Sequence, residues 1–173
     1  VRLFIALELP AAAVGELVSW RRSVLAAKAG LRPVPPESMH VTLAFLGERE
    51  PASVDALLGA LDAVAGAGAA PLALGSPWWL PRRRPGVLAV AIEDDDGLLH
   101  ETQGLLLSAL RRAIGFEPER RVFFPHVTVA RVRRGFRVRP APLDGPPAVE
   151  FTGTRVTLFE SAGGYRPLHS VEL

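Results

Sequence analysis

Two short words in the chain carry side chains able to move protons around a phosphate. They are His40-Val41-Thr42-Leu43 and His126-Val127-Thr128-Val129. Histidine has an unperturbed pKa of about 6.5, so one imidazole serves as base or as acid near neutrality. Two opposed imidazoles, one neutral and one charged, serve as both in a single step. A threonine two residues on points to the same face of an extended strand, which sets a hydroxyl beside each ring. One histidine would take a proton from an incoming hydroxyl or water. The other would protonate the departing oxygen, while the hydroxyls hold the non-bridging oxygens where charge builds. Such an in-line displacement at phosphorus calls for no metal and no cofactor. The chain has four histidines and six threonines, for which random placement gives about 0.14 His-x-Thr triplets. Two are present, both with valine in the middle and an aliphatic residue after the threonine.

Other conspicuous residues have plainer readings. His100 falls in a predicted helix and His169 in a predicted strand, neither followed by a threonine at the same spacing, so both read as structural or surface groups. Asp94, Asp95 and Asp96 are consecutive and cannot converge on one ion, so they read as a helix cap. Trp78 and Trp79 face opposite ways in an extended segment, one toward the core and the other toward the cleft. Phe45 alternates with Leu43 and is expected in the core. Phe124 shares a face with His126 and Thr128 if the strand reaches that far, and is the aromatic candidate for holding a base.

The elements that must position these groups are marked by proline and glycine. A strand is expected over Arg2–Leu9, then a helix over Ala11–Ala29 opened by Pro10 and stopped by Gly30. Pro33, Pro35 and Pro36 make a stiff connection into the first motif strand, Met39–Leu46. A second helix is expected over Ala52–Ala65. Strands Leu72–Leu80 and Gly86–Ile92 read as a hairpin with the basic tip Arg82-Arg83-Arg84, and a third helix follows over Gly97–Ile114. Val122–Val132 holds the second motif. Arg133–Pro147 reads as a basic, proline-rich loop, with strands Val149–Glu160 and Tyr165–Glu172 closing the chain. Roughly seven strands interleaved with three helices predict an α+β fold with mostly antiparallel sheets. The motif recurs after half the chain, which predicts a pseudo-symmetric duplication. Residues 1–173 are expected to form one domain of two intertwined lobes, one carrying 40–43 and the other 126–129, facing a central cleft with helices packed outside.

Composition narrows the class. The chain has no cysteine, which excludes disulfides, thiolate metal sites and a thiol nucleophile. No window is apolar enough for a membrane span, and a soluble cytoplasmic protein is expected. Net charge is only +2, yet every basic residue but Lys28 is arginine. Arginine binds phosphate bidentately and stacks on bases. Arg82 to Arg84, Arg111, Arg112, Arg120, Arg121, Arg131, Arg133, Arg134, Arg137 and Arg139 all fall between the tryptophan pair and Pro140. That clustering points to RNA or nucleotides.

Together these motifs resemble the two-histidine phosphoesterase superfamily. Within it the chain is similar to the bacterial and archaeal RNA 2′,3′-cyclic phosphodiesterases, also called 2′-5′ RNA ligases. The likeness rests on Arg2-Leu3-Phe4-Ile5-Ala6-Leu7, on Val34-Pro35-Pro36-Glu37-Ser38-Met39-His40-Val41-Thr42-Leu43-Ala44-Phe45-Leu46-Gly47, and on Phe123-Phe124-Pro125-His126-Val127-Thr128-Val129-Ala130-Arg131. The resemblance implies a bilobal fold and opening of a terminal 2′,3′-cyclic phosphate on RNA to leave a 2′-phosphate. It implies His40 as proton donor to the leaving 3′ oxygen, His126 as the base that activates water, and Thr42 and Thr128 as phosphate holders. Arg131 matches an arginine often found after the second motif and is expected to touch phosphate. The expected partner is an RNA end with a 2′,3′-cyclic phosphate, tRNA fragments among them, bound by a monomer. Run in reverse, the same groups would join such an end to a 5′-hydroxyl. Two other readings stay open: a phosphodiesterase acting on a small cyclic nucleotide or an ADP-ribose cyclic phosphate, and a non-catalytic RNA- or nucleotide-binding module.

Overall fold

Proline and glycine punctuate the helices as the sequence predicts. The computed structural model describes residues 1–173. Strand β1 (Arg2–Glu8) leads into helix α1 (Ala11–Ala27), which Pro10 opens and after which Gly30 turns with φ 84°. A Cβ at Gly30 would lie 2.6 Å from the Phe136 ring, so the turn admits only glycine on two counts. Then follow β2 (Leu31–Pro33), β3 (His40–Glu48), α2 (Val54–Asp62), β4 (Ala70–Leu80) and β5 (Val87–Glu93). Helix α3 (Leu98–Ile114), β6 (His126–Val132), β7 (Glu150–Gly153), β8 (Arg155–Ser161) and β9 (Tyr165–Glu172) complete the chain.

The strands form one antiparallel network in the order β7-β4-β5-β6-β3-β1-β8-β9, with β2 paired to β6 off that path. The two motif strands are neighbours at its centre. They are joined only at Val41 opposite Val127, so beyond that point they part and leave a cleft. The order reads alike from either side of the junction: a motif strand, then the strand that opens each half (β1 or β5), then two more. The mostly antiparallel α+β architecture with three helices is the one expected, with the two halves hydrogen-bonded into one curled sheet. Alternation fixes which face is which. Val41, Leu43, Val127 and Val129 are buried against the helices, in a core cluster that includes Leu17, Leu57, Leu106 and Leu110. His40, Thr42, His126 and Thr128 are half-buried on the opposite face.

Several boundaries differ from expectation for local reasons. The second motif strand starts at His126 rather than Val122, because residues 115–125 run as irregular chain. The stretch expected as one strand from Val149 is two, β7 and β8, broken at Thr154. The proline connection contains the three-residue β2, which pairs with β6. No helix is long and apolar enough to cross a membrane.

Candidate active site

The strand register assembles the site. Stepping one residue either way from the Val41–Val127 pair sets His40 opposite Thr128 and Thr42 opposite His126. The two histidines thus sit on a diagonal, with a hydroxyl at each remaining corner. All four side chains expected to act together share one face.

Both rings are held in the same way. His40 Nδ1 donates to the Ser38 carbonyl at 2.8 Å, and His126 Nδ1 donates to the Phe124 carbonyl at 2.7 Å. A carbonyl can only accept, so it fixes the tautomer and leaves Nε2 of each ring turned to the cleft. At His40 that nitrogen receives the Thr42 hydroxyl, 3.1 Å away.

The packing around the two rings is unequal. His40 stacks on Phe4, centroids 4.9 Å apart, and meets Tyr165 edge-on at 5.3 Å, with Phe159 stacked behind Phe4. His126 stacks only on Phe124, at 5.2 Å. Burial under that aromatic cluster pushes the His40 pKa down to about 4, against the pull of the Ser38 carbonyl and with help from the charges of Arg131 and His126. In the free protein His40 is therefore neutral. Phe4, Phe159 and Tyr165 were missed from sequence. Only the parity of Phe4, Ala6 and Glu8 along β1, opposite the motif strand, marks that face. Glu8 pairs across from His40 and accepts the Thr157 hydroxyl, itself 2.8 Å from Ser170.

A β-bulge follows each threonine. Against β1, Thr42 pairs with Ala6 and Ala44 with Ile5, so Leu43 has no opposite residue. Against β5, Thr128 pairs with Ala89 and Ala130 with Leu88, so Val129 has none. Each extra residue flips the side chains beyond it to the other face. Arg131 is thereby brought to the histidine face, where its charge reaches His40. Phe45 corrects the expectation of a core residue. It is 64% exposed, opposite Phe4 and at the place in the first copy that Arg131 holds in the second.

The helices hold the bulges crosswise. The Val129 carbonyl accepts from Arg21 of α1 at 2.9 Å and from the Val34 amide at 3.0 Å. The Leu43 carbonyl accepts from Gln103 of α3 at 3.3 Å. Each helix thus grips the motif strand of the other half. Arg21 is buried and also donates to the Val34 carbonyl.

The remaining expected groups fall where predicted. His100 pairs with Asp94 at 2.6 Å, and Asp94 caps α3 by accepting the Leu99 and His100 amides. His169 meets Asp62 near the surface. Trp79 enters the core and Trp78 takes the histidine face, edge-on to Phe124 at 5.5 Å. Nowhere in the chain do three His, Asp or Glu side chains converge as a metal site would require.

Comparison with known proteins agrees with this geometry. Residues 7–87 match the LigT like Phosphoesterase family. An RNA 2′,3′-cyclic phosphodiesterase of Aeropyrum pernix is 32% identical over 130 residues, 74% of this chain and 72% of the relative. The chain belongs to the LigT-like phosphoesterase family. A second member, the RNA 2′,3′-cyclic phosphodiesterase of Escherichia coli K12, is 47% identical over 47 residues, a match spanning 27% of this chain and only 26% of that relative. The family fold extends over almost the whole chain: E. coli LigT complexed with 3′-AMP superposes with a TM-score of 0.79 at 29% identity, covering 99% of this chain and 97% of the other.

Proposed function

We propose that this protein is a metal-independent RNA 2′,3′-cyclic 3′-phosphodiesterase that leaves a 2′-phosphate. The reading is carried by the diagonal of two imidazoles and two hydroxyls around the Val41–Val127 pair. It is supported by the phosphodiesterase relatives and by the complex of the E. coli protein with 3′-AMP, a nucleoside bearing its phosphate on the ribose. In this scheme water attacks phosphorus and gives its proton to His126 Nε2. The bond from phosphorus to O3′ breaks, and His40 Nε2 protonates the departing oxygen. Thr42 and Thr128 donate to the non-bridging oxygens, and Arg131 adds charge as the phosphate becomes more anionic. His40, neutral in the empty cleft, gains its proton as the phosphate anion arrives and the Thr42 hydroxyl turns from the ring to phosphate, since an adjacent opposite charge favours the imidazolium. Phe124 offers a stacking face at 38% exposure. Reversal with a 5′-hydroxyl in place of water gives 2′-5′ ligation, with hydrolysis dominant in water.

A core drawing on the strands and helices of both halves supports treating residues 1–173 as one domain of two lobes. The proposal extends to action as a monomer on RNA ends such as tRNA fragments. The decisive experiment incubates the protein and a chelator with an oligoribonucleotide ending in a 2′,3′-cyclic phosphate. The expected product is a 2′-phosphate end, lost in both His40→Ala and His126→Ala. An intact cyclic end refutes the activity, and undiminished turnover in both variants refutes the site.

A further inference from the structure

A cavity of ≈ 420 Å³ lies between β4 and the loop after β6, lined by Trp78 of the histidine face and Trp79 of the core face together with Pro77, Arg82, Pro140 and Leu143. From these features we infer a second nucleoside subsite, for the base of a nucleotide other than the one bearing the cyclic phosphate. The inference rests on the RNA-end reading above and deepens it.

Several observations carry it. Trp78 lies across from Ala89, which lies across from Thr128, so its ring occupies the same face two strands from the phosphate corner, about 10 Å away. The Phe124 ring stands between His126 and Trp78. A base on Phe124 can belong to the reacting nucleotide, whereas one on Trp78 belongs to another along the strand. Arg82 lies over the Trp78 ring at 4.4 Å, so an indole and a guanidinium plane stand together, the two surfaces on which unpaired bases stack.

The far wall is built rather than loose. Trp79 Nε1 donates to the Ala141 carbonyl at 2.9 Å, and Trp20 Nε1 donates to the Asp144 carbonyl at 2.9 Å. Gly145 comes so close to β4 that a Cβ there would sit 3.2 Å from Pro77.

Charge adds to this. Arg82 lines the cavity, and Arg83, Arg84, Arg137 and Arg139 lie near its lining residues in sequence. All five are exposed and without a carboxylate partner, as are Arg2, Arg22, Arg32, Arg112 and Arg120 elsewhere on the surface. Unpaired cations around a stacking platform fit a polyanion with bases, which is a single-stranded oligoribonucleotide.

The test compares kcat/KM on a mononucleoside 2′,3′-cyclic phosphate with that on a dinucleotide ending in the same group. Wild type should favour the dinucleotide. Trp78→Ala should lower the dinucleotide value about tenfold more than the mononucleotide value, the loss of one base stack, since the mononucleotide reaches only Phe124, which Trp78 meets edge-on. Trp78→Phe should keep most of the preference, and Arg82→Ala should weaken it. Equal losses on both substrates, or no wild-type preference, overturn the subsite while leaving the phosphodiesterase standing. Turnover of neither substrate sinks the phosphodiesterase instead. The subsite is then judged by anisotropy of a labelled tetranucleotide with a 3′-hydroxyl, where undiminished affinity in Trp78→Ala overturns it.

Discussion

Burying His40 beneath Phe4, Phe159 and Tyr165 has a measurable stability cost in acid. Its pKa is lowered from 6.5 to about 4, first by burial and then by the charges of Arg131 and His126, with the Ser38 carbonyl opposing. Glu8 and Tyr165 are the other titratable groups on that face. Above pH 6.5 the ring is neutral folded and unfolded and contributes no pH dependence. As pH falls through that value the unfolded chain takes up a proton that the folded chain refuses. Stability is therefore lost progressively until pH reaches about 4, where the folded ring protonates too. A shift of this size, at 1.36 kcal/mol per unit, corresponds to about 3 kcal/mol. His40→Gln cannot titrate and should lack this loss. Urea unfolding of both proteins at pH 7.5, 6, 5 and 4 isolates it, because the carboxylates common to both cancel. The wild-type advantage over the variant should shrink by about 3 kcal/mol across that range. Parallel stability curves would refute the burial argument and with it the neutral resting state of His40.

Arg131→Ala should raise the His40 pKa, followed by NMR titration of the imidazole, because removing a neighbouring cation eases its protonation. It should also lower kcat/KM by about tenfold. Thr42→Ala and Thr128→Ala should each reduce kcat by about 10²-fold with melting temperature little changed, read by steady-state kinetics beside thermal unfolding. Arg21→Met should cost about 2–3 kcal/mol of stability by urea unfolding, since it strips charged hydrogen bonds from two buried carbonyls. It should also depress activity, because the bulge it holds aims Arg131.

The site was legible in the sequence where chemistry and alternation coincide. His-Val-Thr puts two reactive groups on one face and valine on the other, and nothing in the sheet disturbs that parity within the motif. Phe45 shows where legibility ends. A bulge is one unpaired residue with no compositional mark, so Leu43 looks like any strand residue, and counting by twos past it sends Phe45 to the wrong face. Arg131 lies beyond the matching bulge at Val129 and was reached through the family resemblance. The aromatic cover of His40 comes from β1, β8 and β9, segments that share no local pattern with the motif. The first helix was predictable because Pro10 and Gly30 act locally, whereas the three-residue β2 depends on a partner about a hundred residues away.

The crosswise grip of Arg21 and Gln103 bears on descent and on dissection. A polypeptide containing one copy alone would have a helix with no bulge to hold and a bulged strand with no helix to hold it. Two such copies satisfy each other through the same surfaces, the self-complementary arrangement of a twofold dimer. Such mutual holding is the arrangement that fusion of a symmetric homodimer into one chain would leave. It also means that cutting the chain between α2 and β4 yields two fragments that regain the site only by recombining.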